Sequence, residues 1–375
     1  MKAHEHAAGT TIVVKIGSAQ LAGSDGTLAK KRVDHFAERI VALAGKGHRM
    51  VLVTSGAVAS GSGVIYRSRK PVTIPEKQAA ASVGQITLMA EYLRAFALHG
   101  RTVGQMLLSE YVLRDRVSYL NARATLNELL ANGVIPVINE NDSIATEELK
   151  FGDNDYLGAI VACLVEADRY VILTDTEGLY RNYNDKKTRE LISVVEKITP
   201  EIRSEVSGKT TKFSTGGMES KLRAMELVMR AGITGVIAPG AEDDVLLRIA
   251  SGERAGTSFL PVEQGVSQRK KWILGNVHLR VKGSITVDRG AVTALVEKNK
   301  SLLPGGIIAV AGRFSLGDAV NIVDEKKNIV ARGMVNYSNV EIAMIKGRRS
   351  SDIASILGSA DYEEIVHRDN MALVE

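Results

Sequence analysis

Two lysines stand beside glycine turns in this 375-residue chain, and acids and amides crowd several other turns. Lys15 follows a β-branched run at 11–14 and precedes Ile16-Gly17-Ser18, while Lys221 closes Thr215-Gly216-Gly217-Met218-Glu219-Ser220. A lysine beside a glycine turn offers an anion a point charge together with backbone N–H groups. The acids and amides fall in three runs. Asn139-Glu140-Asn141-Asp142 follows an apolar stretch, Gly152-Asp153-Asn154-Asp155 precedes apolar pairs spaced every four residues, and Thr174-Asp175-Thr176-Glu177-Gly178 follows another apolar stretch. One such acid, Asp153 or Asp155 alone, reads as an ordinary helix cap worth about 1 kcal/mol. Repetition at successive strand ends is what capping leaves unexplained, and ligands of open α/β sheets bind at the carboxyl ends of strands. This inventory suits phosphoryl transfer, in which a protein positions reactants and neutralises charge on the transferred group. A carboxylate acceptor, with a free pKa of about 4.3, is ionised at neutral pH and needs no general base. Accordingly, none of the seven histidines lies in a strand-end turn.

Other chemistries fit less well. No G-x-G-x-x-G follows a strand, and the Gly216 to Lys221 run departs from a Walker A sequence, with Leu222 where Ser or Thr would meet magnesium. The absence of G-x-S-x-G and of strand-end histidines argues against a Ser-His pair and against zinc. The single cysteine, Cys163, cannot form a disulfide within the chain and is expected in the core. A net charge of +5 suits an anionic substrate such as a nucleotide without arguing for nucleic acid. With no long apolar run and no signal segment, the expectation is a cytoplasmic protein with no membrane span.

Strands are expected at 11–14, 50–53, 103–108, 134–138, 170–173, 191–195 and 234–238. Helices are expected at 33–44, at 78–98 with an interruption at Gly84, at 115–131 and from Asn154 or Asp155 onward. This alternation predicts an α/β fold with a mostly parallel open sheet sandwiched by helices. The small residues of 54–61, including Ser55 and Gly56, are expected to let backbone approach a ligand closely. Beyond a basic linker holding Lys270 and Trp272, short runs at 283–287, 291–296, 307–310, 319–323 and 328–335 predict a small C-terminal β-barrel. The expected division is a catalytic domain at 1–265, a linker at 266–279 and a second domain at 280–375.

The segments VVKIGS, VLVTSGAVASG, VGQMLL, IPVINENDS, FGDNDYLGA, LTDTEGLY and STGGMESK, followed by KKWILG, SLLPGGI and VHRD, carry a resemblance that spans essentially the whole chain. In this order they resemble the glutamate 5-kinase branch of the amino acid kinase family, with INEND followed by GDND as the specific part. The C-terminal barrel resembles a PUA domain. The resemblance implies the amino acid kinase fold and ATP-dependent phosphorylation of the γ-carboxylate of L-glutamate, the first step of proline biosynthesis, with Mg²⁺ accompanying ATP. By position, Lys15 and Lys221 would stabilise the phosphoryl group in flight, and Asp155 would hold the two ammonium groups in register. Gly17 and Gly56 would offer N–H groups to phosphate. Ser55, Gly56, Asp142 and Asn154 would surround glutamate, and no residue is assigned as a metal ligand. Thr174, Asp175, Thr215, Gly216, Gly217, Met218, Glu219, Ser220 and Lys221 would line the nucleotide pocket. Ser18 stands where threonine is commoner and keeps the hydroxyl. A homo-oligomer, inhibition by proline and a downstream glutamyl phosphate reductase are further implications. The alternatives are a related kinase for another acid or a nucleotide, and an RNA-binding role of the barrel through Lys346, Arg348 and Arg349. Three such charges read more simply as solvated surface, and no aromatic stacking platform is evident.

Overall fold

The computed structural model describes residues 9–23, 28–67, 69–109, 116–144, 154–182, 188–206, 217–262, 281–359 and 362–373. The chain separates into two compact units, one of Met1–Val112 and Leu120–Val262, the other of Leu113–Tyr119 and Glu263–Glu375. The first is built on strands β1 (Thr11–Ile16), β2 (Arg49–Val53), β3 (Val103–Leu108), β4 (Ile135–Glu140), β5 (Arg169–Thr174), β6 (Leu179–Arg181), β7 (Glu190–Ile192), β8 (Val194–Val195), β9 (Thr234–Pro239) and β10 (Thr257–Phe259). Its helices are α1 (Ser18–Leu21), α2 (Lys30–Gly45), α3 (Ala57–Tyr66), α4 (Ile74–Ala97), α5 (Arg116–Ala131), α6 (Asn154–Leu164), α7 (Pro200–Val206), α8 (Met218–Arg230) and α9 (Val245–Ala250).

An eight-stranded sheet runs in the order β3-β4-β2-β1-β5-β9-β10-β8. The six strands from β3 to β9 are parallel, and β10 is antiparallel to β9. Central β1 is buried at every position, which is what a strand covered on both faces requires. Its residues alternate: Ile12, Val14 and Ile16 join the core cluster that includes α2, so Val13 and Lys15 face the other side, where α6 packs. The expected parallel sheet is present, with β10 and β8 as an unexpected antiparallel edge. The single strand expected at 191–195 is two, because β7 turns away to pair antiparallel with β6 while β8 joins the main sheet beside β10.

Helix α4 runs through Gly84 without interruption, and the small-residue run at 54–61 opens a helix, α3. Both departures have one cause. A Cβ on Gly61 would lie 1.8 Å from the Ala80 carbonyl oxygen, and one on Gly84 would lie 1.8 Å from that of Ala57. The two glycines therefore serve backbone-to-backbone packing of α3 on α4. Thr73 and Glu76 start α4 with a reciprocal capping box, and Gly56 starts α3 at φ 106°, a conformation that favours glycine.

The second unit holds a five-stranded sheet of β11 (Gly283–Val287), β12 (Ile307–Gly312), β13 (Ala319–Val323), β14 (Ile329–Met334) and β15 (Met371–Leu373) in the order β12-β11-β13-β14-β15. Helices α10 (Arg289–Val296), α11 (Asn339–Ile345) and α12 (Ile353–Leu357) accompany it. The run at 291–296 is thus helical rather than a strand. Its β-branched residues are outweighed by Asp288, whose side chain accepts the Ala291 N–H at 2.7 Å and caps the first turn. Strand β15 lies beyond the expected runs. Lys346, Arg348 and Arg349 are all exposed. Lys270, Trp272 and the linker at 266–279 lie outside the described residues. Among the described residues, no helix is long and apolar enough to cross a membrane.

Candidate active site

Three elements converge at the carboxyl end of β1. Lys15 leaves the sheet on the α6 side, Asp155 lies in the first turn of α6, and Lys221 lies in the first turn of α8. The Lys15 ammonium is 2.5 Å from Asp155 Oδ1, and the Lys221 ammonium donates to Asp155 Oδ2 at 2.8 Å. Asp155 is 0% exposed, Lys15 4% and Lys221 8%. Removing such groups from water is costly for each ion, and pairing is what makes it tolerable. One carboxylate thus clamps two ammonium groups that approach from different elements.

The position of α6 has an identifiable origin. Tyr170, on β5, donates its phenol proton to the Asp155 carbonyl at 2.6 Å, with the ring lying against Gly158. A Cβ on Gly158 would come within 2.4 Å of the Tyr170 hydroxyl, so glycine is what lets the helix settle on the strand. On the other flank Arg223 of α8 stacks over Tyr156 of α6 at 5.5 Å.

Asn154, one residue before Asp155, belongs to a different set of contacts. Its Nδ2 donates to the Thr54 carbonyl at 2.7 Å, to Ser55 Oγ at 2.8 Å and to Asn139 Oδ1 at 2.9 Å. Asn139 Nδ2 donates in turn to Gln85 Oε1, on α4, at 2.8 Å. The Thr54 hydroxyl meets that of Tyr92 at 2.8 Å, and burial pushes the Tyr92 phenol up from its ordinary pKa, so it stays protonated.

A cleft of about 1140 Å³ joins the two sets. Lys15, Gly17, Ser55, Gly56, Asp142, Asn154, Thr174, Asp175 and Lys221 all line it, which brings together nine residues singled out from the sequence. Asp155 lies beneath them, tied to both lysines. The Gly17 N–H makes a long 3.4 Å bond to the Leu173 carbonyl. Thr174 Oγ1 donates to Asp175 Oδ1 at 3.0 Å. Gly217, Met218, Glu219 and Ser220 are not among the lining residues. Gly217 caps α8 and accepts the Ser220 hydroxyl, whereas Glu219 is paired with Arg203 of α7 at 2.5 Å. Thr215, Gly216 and Asp153 lie outside the described residues. Cys163 is half-buried rather than a core residue.

Gln85 and Tyr170 were not legible as site residues. Gln85 follows Gly84 within a helix and has no charge or polar run to mark it, and Tyr170 reads only as an apolar strand residue. The buried Glu140 and Asn139 were visible only as part of a polar run.

The sequence profile of the amino acid kinase family matches residues 10–239, and that of the PUA domain matches residues 283–357. Over 368 residues the chain is 45% identical to the glutamate 5-kinase of Caldanaerobacter subterraneus subsp. tengcongensis, covering 97% of this chain and 98% of the relative. It is 45% identical over 364 residues to the glutamate 5-kinase of Syntrophus aciditrophicus, covering 97% and 94%. With that of Vibrio vulnificus it shares 42% identity over 366 residues, covering 97% and 96%. The matched relatives share the length of the chain as well as its kinase segment, so the chain belongs to the amino acid kinase family, in its glutamate 5-kinase branch, with a C-terminal PUA domain.

Proposed function

We propose that this chain transfers the γ-phosphoryl group of ATP to the γ-carboxylate of L-glutamate, forming L-glutamyl 5-phosphate and opening proline biosynthesis. The observation that carries this reading is the pair of buried ammonium groups held on Asp155 at the floor of the cleft. A carboxylate oxygen of glutamate forms a bond to the γ-phosphorus while the bond from that phosphorus to the β,γ-bridging oxygen breaks, leaving the electron pair on ADP. No proton has to be removed from the acceptor, in keeping with a cleft that offers lysines, acids and amides. Lys15 and Lys221 neutralise charge on the moving group, and Asp155 fixes their separation. Ser55, Gly56, Asp142 and Asn154 hold the amino acid. The nucleotide lies along Gly17, Thr174, Asp175 and the segment from Thr215 to Lys221.

Magnesium is generally bound through one or two carboxylates plus substrate phosphates. The Asp175 carboxylate and the Thr174 hydroxyl supply hard oxygen donors at the strand end, and no larger group of His, Cys, Asp and Glu gathers among the described residues. Asp175 would hold the ion, which when bound neutralises phosphate charge. We place the kinase domain at 1–265, a linker at 266–279 and the PUA domain at 280–375. A cytoplasmic homo-oligomer, inhibited by proline and handing its labile product to a glutamyl phosphate reductase, completes the reading. The test is ATP-dependent trapping of acyl phosphate as hydroxamate with glutamate and a panel of other acids. Hydroxamate from glutamate supports the reading, and its absence alongside hydroxamate from another acid overturns it.

A further inference from the structure

The hydrogen bonds around Asn154 have a direction that can be traced. The Thr54 carbonyl can only accept, so the atom of Asn154 facing it must be the amide nitrogen. That nitrogen has two hydrogens and three acceptors, so its donor capacity is filled. Asn139 must then present its oxygen to Asn154, which turns its own amide nitrogen toward Gln85, and Gln85 must answer with Oε1. Two atoms stand at the ends of this chain. Asn154 Oδ1, on a residue that lines the cleft, and Gln85 Nε2, on α4, are both shielded from solvent and have no hydrogen-bond partner among the described residues. A shielded acceptor is a cost that a donor on a ligand removes.

We infer that Gln85, which lies behind the cleft and touches no substrate, is a positioning residue: by accepting from Asn139 it holds Asn154 with its carbonyl oxygen reserved for a donor on the acceptor substrate, the α-ammonium group of the amino acid. This rests on the proposed glutamate reading and assigns a residue one step further out. The two ends of the chain respond differently to substitution. Gln85→Met keeps the length of the side chain and removes one unpaired shielded donor, Gln85 Nε2, but leaves another, Asn139 Nδ2, in its place, so the thermal midpoint falls by no more than one lost hydrogen bond would lower it. The same change strips Asn139 of its acceptor and frees it to turn, which unfixes Asn154.

The experiment compares steady-state kinetics and thermal midpoints of the full chain carrying Gln85→Met, Gln85→Glu and Asn139→Ala, with Gln85→Met also placed in the Asn139→Ala background. Gln85→Met raises KM for glutamate about five-fold, the scale of one lost hydrogen bond, with kcat and KM for ATP within about two-fold and at most a small fall in thermal midpoint. Gln85→Glu, which keeps an oxygen facing Asn139, restores KM. In the Asn139→Ala background Gln85→Met has no further effect, because the intermediary is gone. An unchanged glutamate KM in Gln85→Met overturns the inference, as does an equal loss in both substrates or an effect that persists without Asn139. If the unaltered chain turns over glutamate while Gln85→Met is indistinguishable from it, only the role of Gln85 falls. If the unaltered chain does not phosphorylate glutamate, the substrate reading falls and this inference with it.

Discussion

Asn154 and Asp155 are neighbours in the chain and serve opposite halves of the cleft. Successive residues of a helix point about 100° apart, so one turn of α6 sends a carboxylate to two lysines and an amide to a set of neutral polar groups. The charged half is made of residues from three separate elements and has almost no exposed surface. The amide half is anchored to a backbone carbonyl and extends behind the cleft wall into α4. In the proposed reaction the charged half faces the moving phosphoryl group and the amide half faces the amino acid. The difference implies that damage to one half lowers turnover and damage to the other raises KM.

The largest effect expected is in the charged half. Lys15→Ala or Lys221→Ala lowers kcat by about 10²- to 10³-fold with glutamate KM little changed, the scale of losing one stabilising charge. Wild-type turnover in either purified variant removes that lysine from the mechanism. On the amide side, replacing glutamate by N-acetylglutamate takes away the positive charge that Asp142 is proposed to meet. Asp142 is half-buried, so the low end of the range for a stranded charge applies, about 2–3 kcal/mol or roughly 30- to 150-fold in kcat/KM. Equal rates for the two acids withdraw Asp142 from acceptor choice.

Gly158→Ala joins the halves. Its Cβ meets the fully buried Tyr170 ring, so α6 must lift and carry both Asn154 and Asp155 with it. Stability should fall by about 1–3 kcal/mol, with kcat and glutamate KM worsening together. A change in only one of the two kinetic constants would mean that the halves are positioned independently.

The smallest effect is at the start of α4, where Glu76 is not itself a cleft-lining residue although its partner Arg69 is. Glu76 accepts from the Val72 and Thr73 N–H groups and pairs with Arg69, and these contacts lower its pKa from 4.5 to about 2. A carboxylate whose folded pKa is depressed contributes stability above its unfolded pKa and loses it as pH falls through the folded one. The thermal midpoint of the native chain should therefore exceed that of Glu76→Gln near neutrality, with the gap closing between pH 4.5 and about 2. Neither kcat nor KM should move at neutral pH. A pH-independent gap would detach the cap from the carboxylate charge.

Legibility in the sequence differed between the halves for the same physical reason. Ions at glycine turns are rare enough in a sequence to signal chemistry, so Lys15 and Lys221 could be read from their turns, whereas Asp155 alone reads as a cap and joins them only through the resemblance. Gln85 could not, because a glutamine inside a helix usually faces solvent and nothing local records that α4 turns this one inward. Gly84 was legible only as a break, since propensity sees the missing side chain but not the helix that fills its place. The run at 291–296 failed similarly: β-branched residues suggested a strand, and a single capping acid outweighed them.

The close contact at Gly61 and Gly84 bears on how such a cleft can change over generations. Each vacancy is filled by the backbone of the opposite helix, so neither position can acquire a side chain unless both helices move. Because α3 opens at the cleft wall and α4 carries Gln85, such a move would disturb the acceptor pocket at once. Exchanging side chains around the cleft would leave that frame in place, whereas a side chain at either glycine would displace it.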